Sequence, residues 1–307
     1  MDQGQYYEEN RFRGASHAGS WYTSNAPQLT ADLLGWLGQV RPQHAGQQFP
    51  PPGCKAIIAP HAGYAYSGET AAWAYKCIDP STTILVLMMR FRTFFPVVNE
   101  LSTKGPFEWL PLQEDEREHS IEMQLPYLRK VCEGKDIKIV PILVGALDQA
   151  AELRYGEVLA PYLAQEGTVF VVSSDFCHWG NDFDYMFYYP KENCKPIDGY
   201  DTTRASPPEK DYKIWQSITQ LDHAAMGILG DNNRNALQAH TDFHRYLRAT
   251  GNTICGRHPI GVLYGALAVL ENQGRKASCT WVKYDQSCRV TQINENSVSY
   301  ASAWIKI

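Results

Sequence analysis

A single three-layer α/β/α domain is what this sequence predicts, on three observations. Short apolar runs alternate with stretches of helical periodicity, the pattern of helices packed on a sheet. The runs at 82–89 (TTILVLMM) and 168–174 (TVFVVSS) are apolar until their ends, as in strands covered on both faces. Polar side chains then collect just past the ends of these runs, where an open α/β sheet presents its site. The expected sheet is mostly parallel or mixed.

Each element follows in order. Residues 28–40 place Leu29, Leu33, Leu34, Trp36 and Leu37 at helical spacing, with Thr30 as the expected N-cap. A Pro/Gly-rich loop precedes a short buried strand at 54–59 (CKAIIA), which Pro60 ends. A helix is expected over 69–77. The strand at 82–89 runs into Arg90, Phe91 and Arg92, a segment with neither helical nor strand logic. One helix, kinked at Pro126, is expected over 112–131, its first turn acidic as the helix dipole favours. A strand over 137–144 and a helix over 150–164 lead to 168–174. The aromatic, Pro-rich stretch 182–211 is too long for a plain connector and reads as a lid or insertion. Helices over 213–229, 233–249 and 262–270 and strands over 279–284 and 298–307 complete the sheet. The polar residues 1–14 read as a disordered lead-in, leaving 15–307 as the domain.

Composition narrows the function. The net charge of -5 argues against a nucleic-acid or anionic-membrane surface. No apolar run approaches the ~20 residues of a membrane span. The eight cysteines are dispersed without a C-x-x-C pair, the usage of a reduced cytoplasmic protein.

Three stretches carry the chemistry: 57–68 (IIAPHAGYAYSG), 168–180 (TVFVVSSDFCHWG) and 252–261 (NTICGRHPIG). His61, Asp175, His178 and Cys255 each sit in a strand-end or Gly-rich context. Imidazole, carboxylate and thiolate together suit iron, copper or zinc. His178 can act as acid or base near neutral pH, with Asp175 close enough to orient it. Tyr64 joins the aromatic, Gly-lined surroundings of His61. His119 and Glu122, three apart on a helix, share a face and are further pocket candidates. His17 reads as a hydrogen-bonded loop histidine. Cys255 is alternatively a nucleophile whose thiol Arg257 and a protonated His258 would acidify. A third use of the same pocket is peptide binding without chemistry.

The ordered motifs ASHAGSWY, IIAPHAGYAYSG, EREHSIEMQLPYL, VPILVGAL, VFVVSSDFCHWG, NTICGRHPIGVL and SVSYA resemble the Memo family (mediator of ErbB2-driven cell motility). The resemblance implies a single-domain fold similar to class III extradiol ring-cleavage dioxygenases. It implies roles in cell-motility signalling, phosphotyrosine-peptide or signalling-protein binding, copper or iron binding and redox control, in the cytoplasm or nucleus, without a settled enzymatic activity. Under it His61 and Cys255 match metal-ligand positions. His178, with Asp175 beside it, matches an acid/base position, and His119 and Glu122 match polar residues of the motif helix. The family's G-P-S-H motif, whose histidine is the second metal ligand, has no counterpart here: residues 88–99 read MMRFRTFFPVVN. The expectation is therefore weak or absent iron or copper, with one ligand missing, in a non-enzymatic protein. The alternative is a metal-dependent oxidoreductase of the extradiol dioxygenase type.

Overall fold

The computed structural model describes residues 13–41, 48–88, 95–105, 107–108, 112–202 and 208–307. The lead-in over 1–12, the segment 90–94 and residues 203–207 of the long loop thus lie outside the described residues. Arg13 and Gly14, grouped with the lead-in by sequence, are held in place. The Arg13 guanidinium donates to the carbonyl oxygens of Asp115 (3.0 Å) and Glu118 and pairs with the Glu122 carboxylate.

The first half of the chain gives α1 (Ala26–Gln39), β1 (Cys54–Ala59), α2 (Tyr64–Tyr75), β2 (Ile84–Met88) and α3 (Phe95–Lys104). Three short helices follow, α4 (Leu112–Asp115), α5 (His119–Glu122) and α6 (Leu125–Val131), then β3 (Lys138–Pro141) and α7 (Gln149–Ala164). Next come β4 (Thr168–Ser173), β5 (Asp175–Trp179) and a ribbon of β6 (Phe187–Tyr188) with β7 (Tyr200–Asp201). The chain ends with α8 (Ile214–Leu229), α9 (Ala236–Thr250), α10 (Arg257–Asn272), β8 (Ser278–Gln286) and β9 (Ser297–Lys306).

Several boundaries differ from the sequence expectation for local reasons. Asn25, not Thr30, caps α1, accepting from the Gln28 N–H at 3.0 Å. Helix α2 begins five residues early, directly after Gly63. The single helix expected over 112–131 is three pieces, and Pro126 lies in the first turn of α6 rather than kinking a longer helix. The long loop carries 3₁₀ turns and the β6–β7 ribbon, with Tyr188 and Tyr189 buried in the core.

Among the described residues, seven strands form one mixed sheet with helices on both faces. Strands β3, β2, β4 and β1 run parallel in that order, and β9 is antiparallel to β1, β5 and β8. Alternate side chains of the central strands serve two cores. Ala56, Ile58, Phe170 and Val172 face α7, α8, α9 and α10, while Ile57, Ala59, Val169 and Val171 face α1, α2 and α6. Both faces are covered, which is why these strands read as unbroken apolar runs.

One crossing positions the site. Strand β9 pairs with β1 through Ala303–Lys306 and with β5 through Ser297–Tyr300. Both strands run antiparallel to β9, so β5 continues the lane in which β1 ends. The chain enters that lane from β4, the other neighbour of β1, by a single step at Ser174, whose N–H donates to Ala59 O at 2.9 Å. The run 168–180 is therefore two strands in two lanes. His61 leaves the lane where Asp175 enters it.

Helices α7 and α10 meet through glycines. A Cβ on Gly156 would lie 2.5 Å from the backbone nitrogen of Ala266 and the carbonyl carbon of Gly265, atoms that cannot rotate away. Gly156→Ala is expected to destabilise the fold by about 1–3 kcal/mol through overpacking, exceeding the ~1 kcal/mol that alanine adds in helix propensity. Urea unfolding checks this; an unchanged or higher midpoint would show that the helices can separate freely.

Candidate functional site

The lane exchange brings together the ends of β1 and β4, the start of β5, and the loop before α10. The His61 backbone N–H donates to Asp175 Oδ1 at 2.8 Å, while His61 Nε2 lies 3.9 Å from Asp175 Oδ2. The Asp175 N–H donates to Cys255 Sγ at 3.1 Å, and that sulfur lies 3.3 Å from His61 Nε2. His61, Asp175 and Cys255 thus form one contiguous set.

The hydrogen bonds assign the His61 tautomer. Ser173 Oγ accepts from Gln124 Nε2 (2.7 Å) and lies 2.9 Å from Ser120 O, which can only accept. The single hydroxyl proton therefore points to Ser120, and Ser173 Oγ accepts from His61 Nδ1–H at 2.7 Å. The lone pair of His61 is on Nε2, facing Cys255. Burial, and next the positive charge available at His119, push the His61 pKa down to about 3, so the ring is neutral at physiological pH.

Asp175 and His178 both lie on β5, at its start and near its end. Burial raises the Asp175 carboxyl to about 6, although the His61 N–H opposes the rise. His178 Nδ1 sits 2.8 Å from Phe176 O and 3.1 Å from Thr253 O, so it carries the proton and Nε2 is the basic nitrogen. Thr253 Oγ1 also accepts the His178 N–H at 2.8 Å, locking β5 to the loop before α10. Against the His61 ring, at 5.4 Å between centroids, stands His119, itself 4.7 Å from Trp21. Burial first lowers the His119 pKa.

Other residues singled out by sequence sit elsewhere. Glu122 turns to the N-terminal segment. It accepts from the His17 N–H (2.9 Å) and the Tyr22 hydroxyl (2.8 Å), pairs with Arg13, and lies 2.9 Å from His17 Nδ1. His17 is a hydrogen-bonded residue of that clasp. Tyr64 is buried in the core and donates its hydroxyl to Met123 O at 2.6 Å, because α2 starts at this residue and turns the ring inward. Arg257 is exposed, its guanidinium 3.4 Å from Ile254 O. His258 donates to Glu152 Oε1 at 2.7 Å. Neither acidifies the thiol. Cys255 is solvent-exposed as a residue, but its sulfur packs against Asp175 and His61; that crowding, then the Asp175 charge, push its pKa up. The activated-nucleophile reading of Cys255 loses its physical basis.

A model of the Memo-like protein family matches residues 13–94 and 93–304. Protein MEMO1 of Mus musculus and of Homo sapiens are each 39% identical over 321 aligned residues, covering 96% of this chain and 97% of the relative. The Caenorhabditis elegans Protein memo-1 homolog is 33% identical over 315 residues, covering 94% and 81%. The chain belongs to the Memo family. The two matched segments meet at 93–94, inside the stretch 88–99 where the Memo histidine motif is missing from the sequence. The resemblance implies a three-donor iron or copper site; of its donors the described pocket brings together two, His61 and Cys255. Among the described residues no third His, Cys, Asp or Glu donor lies within 4.8 Å of both His61 Nε2 and Cys255 Sγ; Asp175 Oδ2 approaches only the former, at 3.9 Å. Residues 89–94 (MRFRTF) contain no such side chain.

Sequence reasoning missed the residues that hold the pocket. Gln124 and Ser120 act on His61 only through Ser173, a relation between separate elements with no signature in spacing. Arg13 and His17 were legible only as a charge and a loop histidine.

The clasp on Glu122 has a pH signature. Burial alone would raise its carboxyl, but hydrogen bonds from His17, Arg13 and Tyr22 outweigh it and set the value at about 2 against an ordinary 4.5. A depressed carboxylate contributes stability above its unfolded value, lost as pH falls through its folded one. Comparing urea unfolding of the wild type with Glu122→Gln, the stability gap is expected to be full above pH 4.5 and to close as pH falls toward 2. A gap independent of pH would refute the clasp as an ionic device.

Proposed function

We propose that this Memo-family chain is non-enzymatic and acts in cell-motility or growth signalling and in copper or iron homeostasis and redox control, with a dioxygenase-like pocket that has lost one metal-ligand histidine. The observation that carries this reading is the pair of donors: His61 Nε2 faces Cys255 Sγ at 3.3 Å, and among the described residues no third donor atom lies within 4.8 Å of both, Asp175 Oδ2 approaching only His61 Nε2, at 3.9 Å. An imidazole and a thiol can hold a soft ion such as copper, but two donors bind far more weakly than three. The raised Cys255 pKa adds to the cost, since the thiol must lose its proton to ligate. Signalling through a phosphotyrosine-containing peptide or a signalling protein rests on the family relationship, and the cytoplasm or nucleus is its setting.

The alternative, a metal-dependent extradiol-type oxidoreductase, is favoured by one feature. Asp175, with a carboxyl at about 6, shares a wall with His178, a pairing suited to proton transfer near neutrality.

Iron and copper analysis of the untagged protein, with oxygen-dependent catechol turnover after anaerobic Fe(II) loading, separates the readings. The expected result is no ring-opened product, and iron or copper below one equivalent in the fraction that Cys255→Ser removes. Stoichiometric iron lost in Cys255→Ser, together with catechol turnover abolished by His61→Ala, would establish the oxidoreductase instead.

A further inference from the structure

A second cluster of ligating side chains lies outside the pocket, where α7, α9 and α10 meet. Glu152 of α7 is fully buried and carries three histidines. His240 Nε2 lies 2.8 Å and His244 Nε2 2.6 Å from its Oε2, and His258 Nδ1 lies 2.7 Å from its Oε1. The ligating atoms of Glu152, His240 and His244 all fall within 4.8 Å of one another. We propose that Glu152, His240 and His244 form a binding site for a divalent transition ion, Zn(II) by preference, separate from the His61–Cys255 pair.

Four features support it. His240 and His244 stand four apart on α9, so both imidazoles project from one face toward one point. Two imidazoles and a carboxylate are a donor set that holds zinc while leaving a further position open. His258, bonded to the other carboxylate oxygen, sets the rotation of Glu152 as an outer partner does around a metal ligand. Gly261 packs against the carboxylate so closely that a Cβ there would lie 1.9 Å from Glu152 Oε2, which fixes its position. The cluster also has an approach from solvent: His240 is wholly buried, but the His244 and His258 side chains are 14% and 16% exposed.

Without an ion the carboxylate is satisfied by imidazole N–H donors. Zinc would enter between Oε2 and the two Nε2 atoms, each ring giving up its Nε2 proton to Nδ1 or to solvent. Zn–N and Zn–O bonds of about 2.0–2.2 Å set the donors slightly further apart than these hydrogen bonds do.

The full-length, untagged Cys255→Ser protein is the background for the test, because it removes the only sulfur at the pocket pair. Zn(II) titration against a chromophoric chelator is expected to give one site, and Co(II) is expected to show visible ligand-field bands without near-ultraviolet thiolate charge transfer. Zinc is expected to raise Tm, and a chelator to reverse the rise, in a protein with the cluster untouched. Adding His244→Ala should weaken binding by more than ~100-fold, and His258→Gln by about 10–100-fold, as for an outer partner. Far-ultraviolet circular dichroism in chelator verifies that each variant is folded. Absence of binding in Cys255→Ser, or binding that a folded His244→Ala retains, would overturn the proposal and leave a carboxylate–imidazole network only.

Discussion

The pocket depends on a single backbone constraint, the exchange of strand lanes along one edge of β9. Strand β1 stops where Pro60, without an N–H, cannot continue the ladder. The vacated lane is filled by β5, which arrives from β4 in one step at Ser174, whose N–H satisfies Ala59 O. Two chain segments therefore change direction side by side. The His61 N–H, past the end of β1, meets the side-chain carboxylate of Asp175, the first residue of β5, at 2.8 Å. The step also leaves the Asp175 N–H free to meet Cys255 Sγ.

The electrostatics follow from this arrangement. The pocket is built from buried groups satisfied in one direction only: Ser173 fixes the proton on His61 Nδ1, and the carbonyls of Phe176 and Thr253 fix it on His178 Nδ1. Both rings present their Nε2 as the basic atom. Burial raises Asp175 and lowers His61, so a carboxyl that gains proton affinity and a neutral imidazole lie side by side. The same burial raises the thiol of Cys255, setting it apart from a thiolate nucleophile. Among the described residues no third donor lies within 4.8 Å of both His61 Nε2 and Cys255 Sγ, and residues 89–94 contain no histidine.

The opposite face of the sheet is governed by close helix contact. Gly156 and Gly265 let α7 and α10 approach to backbone contact, which carries Glu152 beneath Gly261 and within reach of α9. A buried carboxylate is tolerated there because three imidazoles surround it, holding its pKa at about 2 against the burial that would raise it. Glu122 uses the same device on the other side of the molecule, with Arg13, His17 and Tyr22 as partners.

The fold class was legible in the sequence because both faces of the central strands are covered. That physical fact writes itself as unbroken apolar runs, as at 84–88 and 168–173. The Memo motifs were legible for a related reason, since His61, Asp175 and Cys255 lie at strand ends and turns whose local chemistry is distinctive. Convergence was not legible. Asp175 is 114 residues from His61, and only the lane exchange makes them neighbours. Glu122 and His119 looked alike on one helical face, yet from the two ends of the four-residue α5 Glu122 meets Arg13, His17 and Tyr22 while His119 stands between Trp21 and His61. His258 read as a neighbour of Cys255 by sequence, but α10 starts at Arg257 and directs its ring to Glu152, over 100 residues away. The sequence by itself determined which elements form and which end in polar groups. Only the tertiary structure decided which of those groups meet, because contact between distant segments depends on strand lanes and helix crossings that local spacing does not encode.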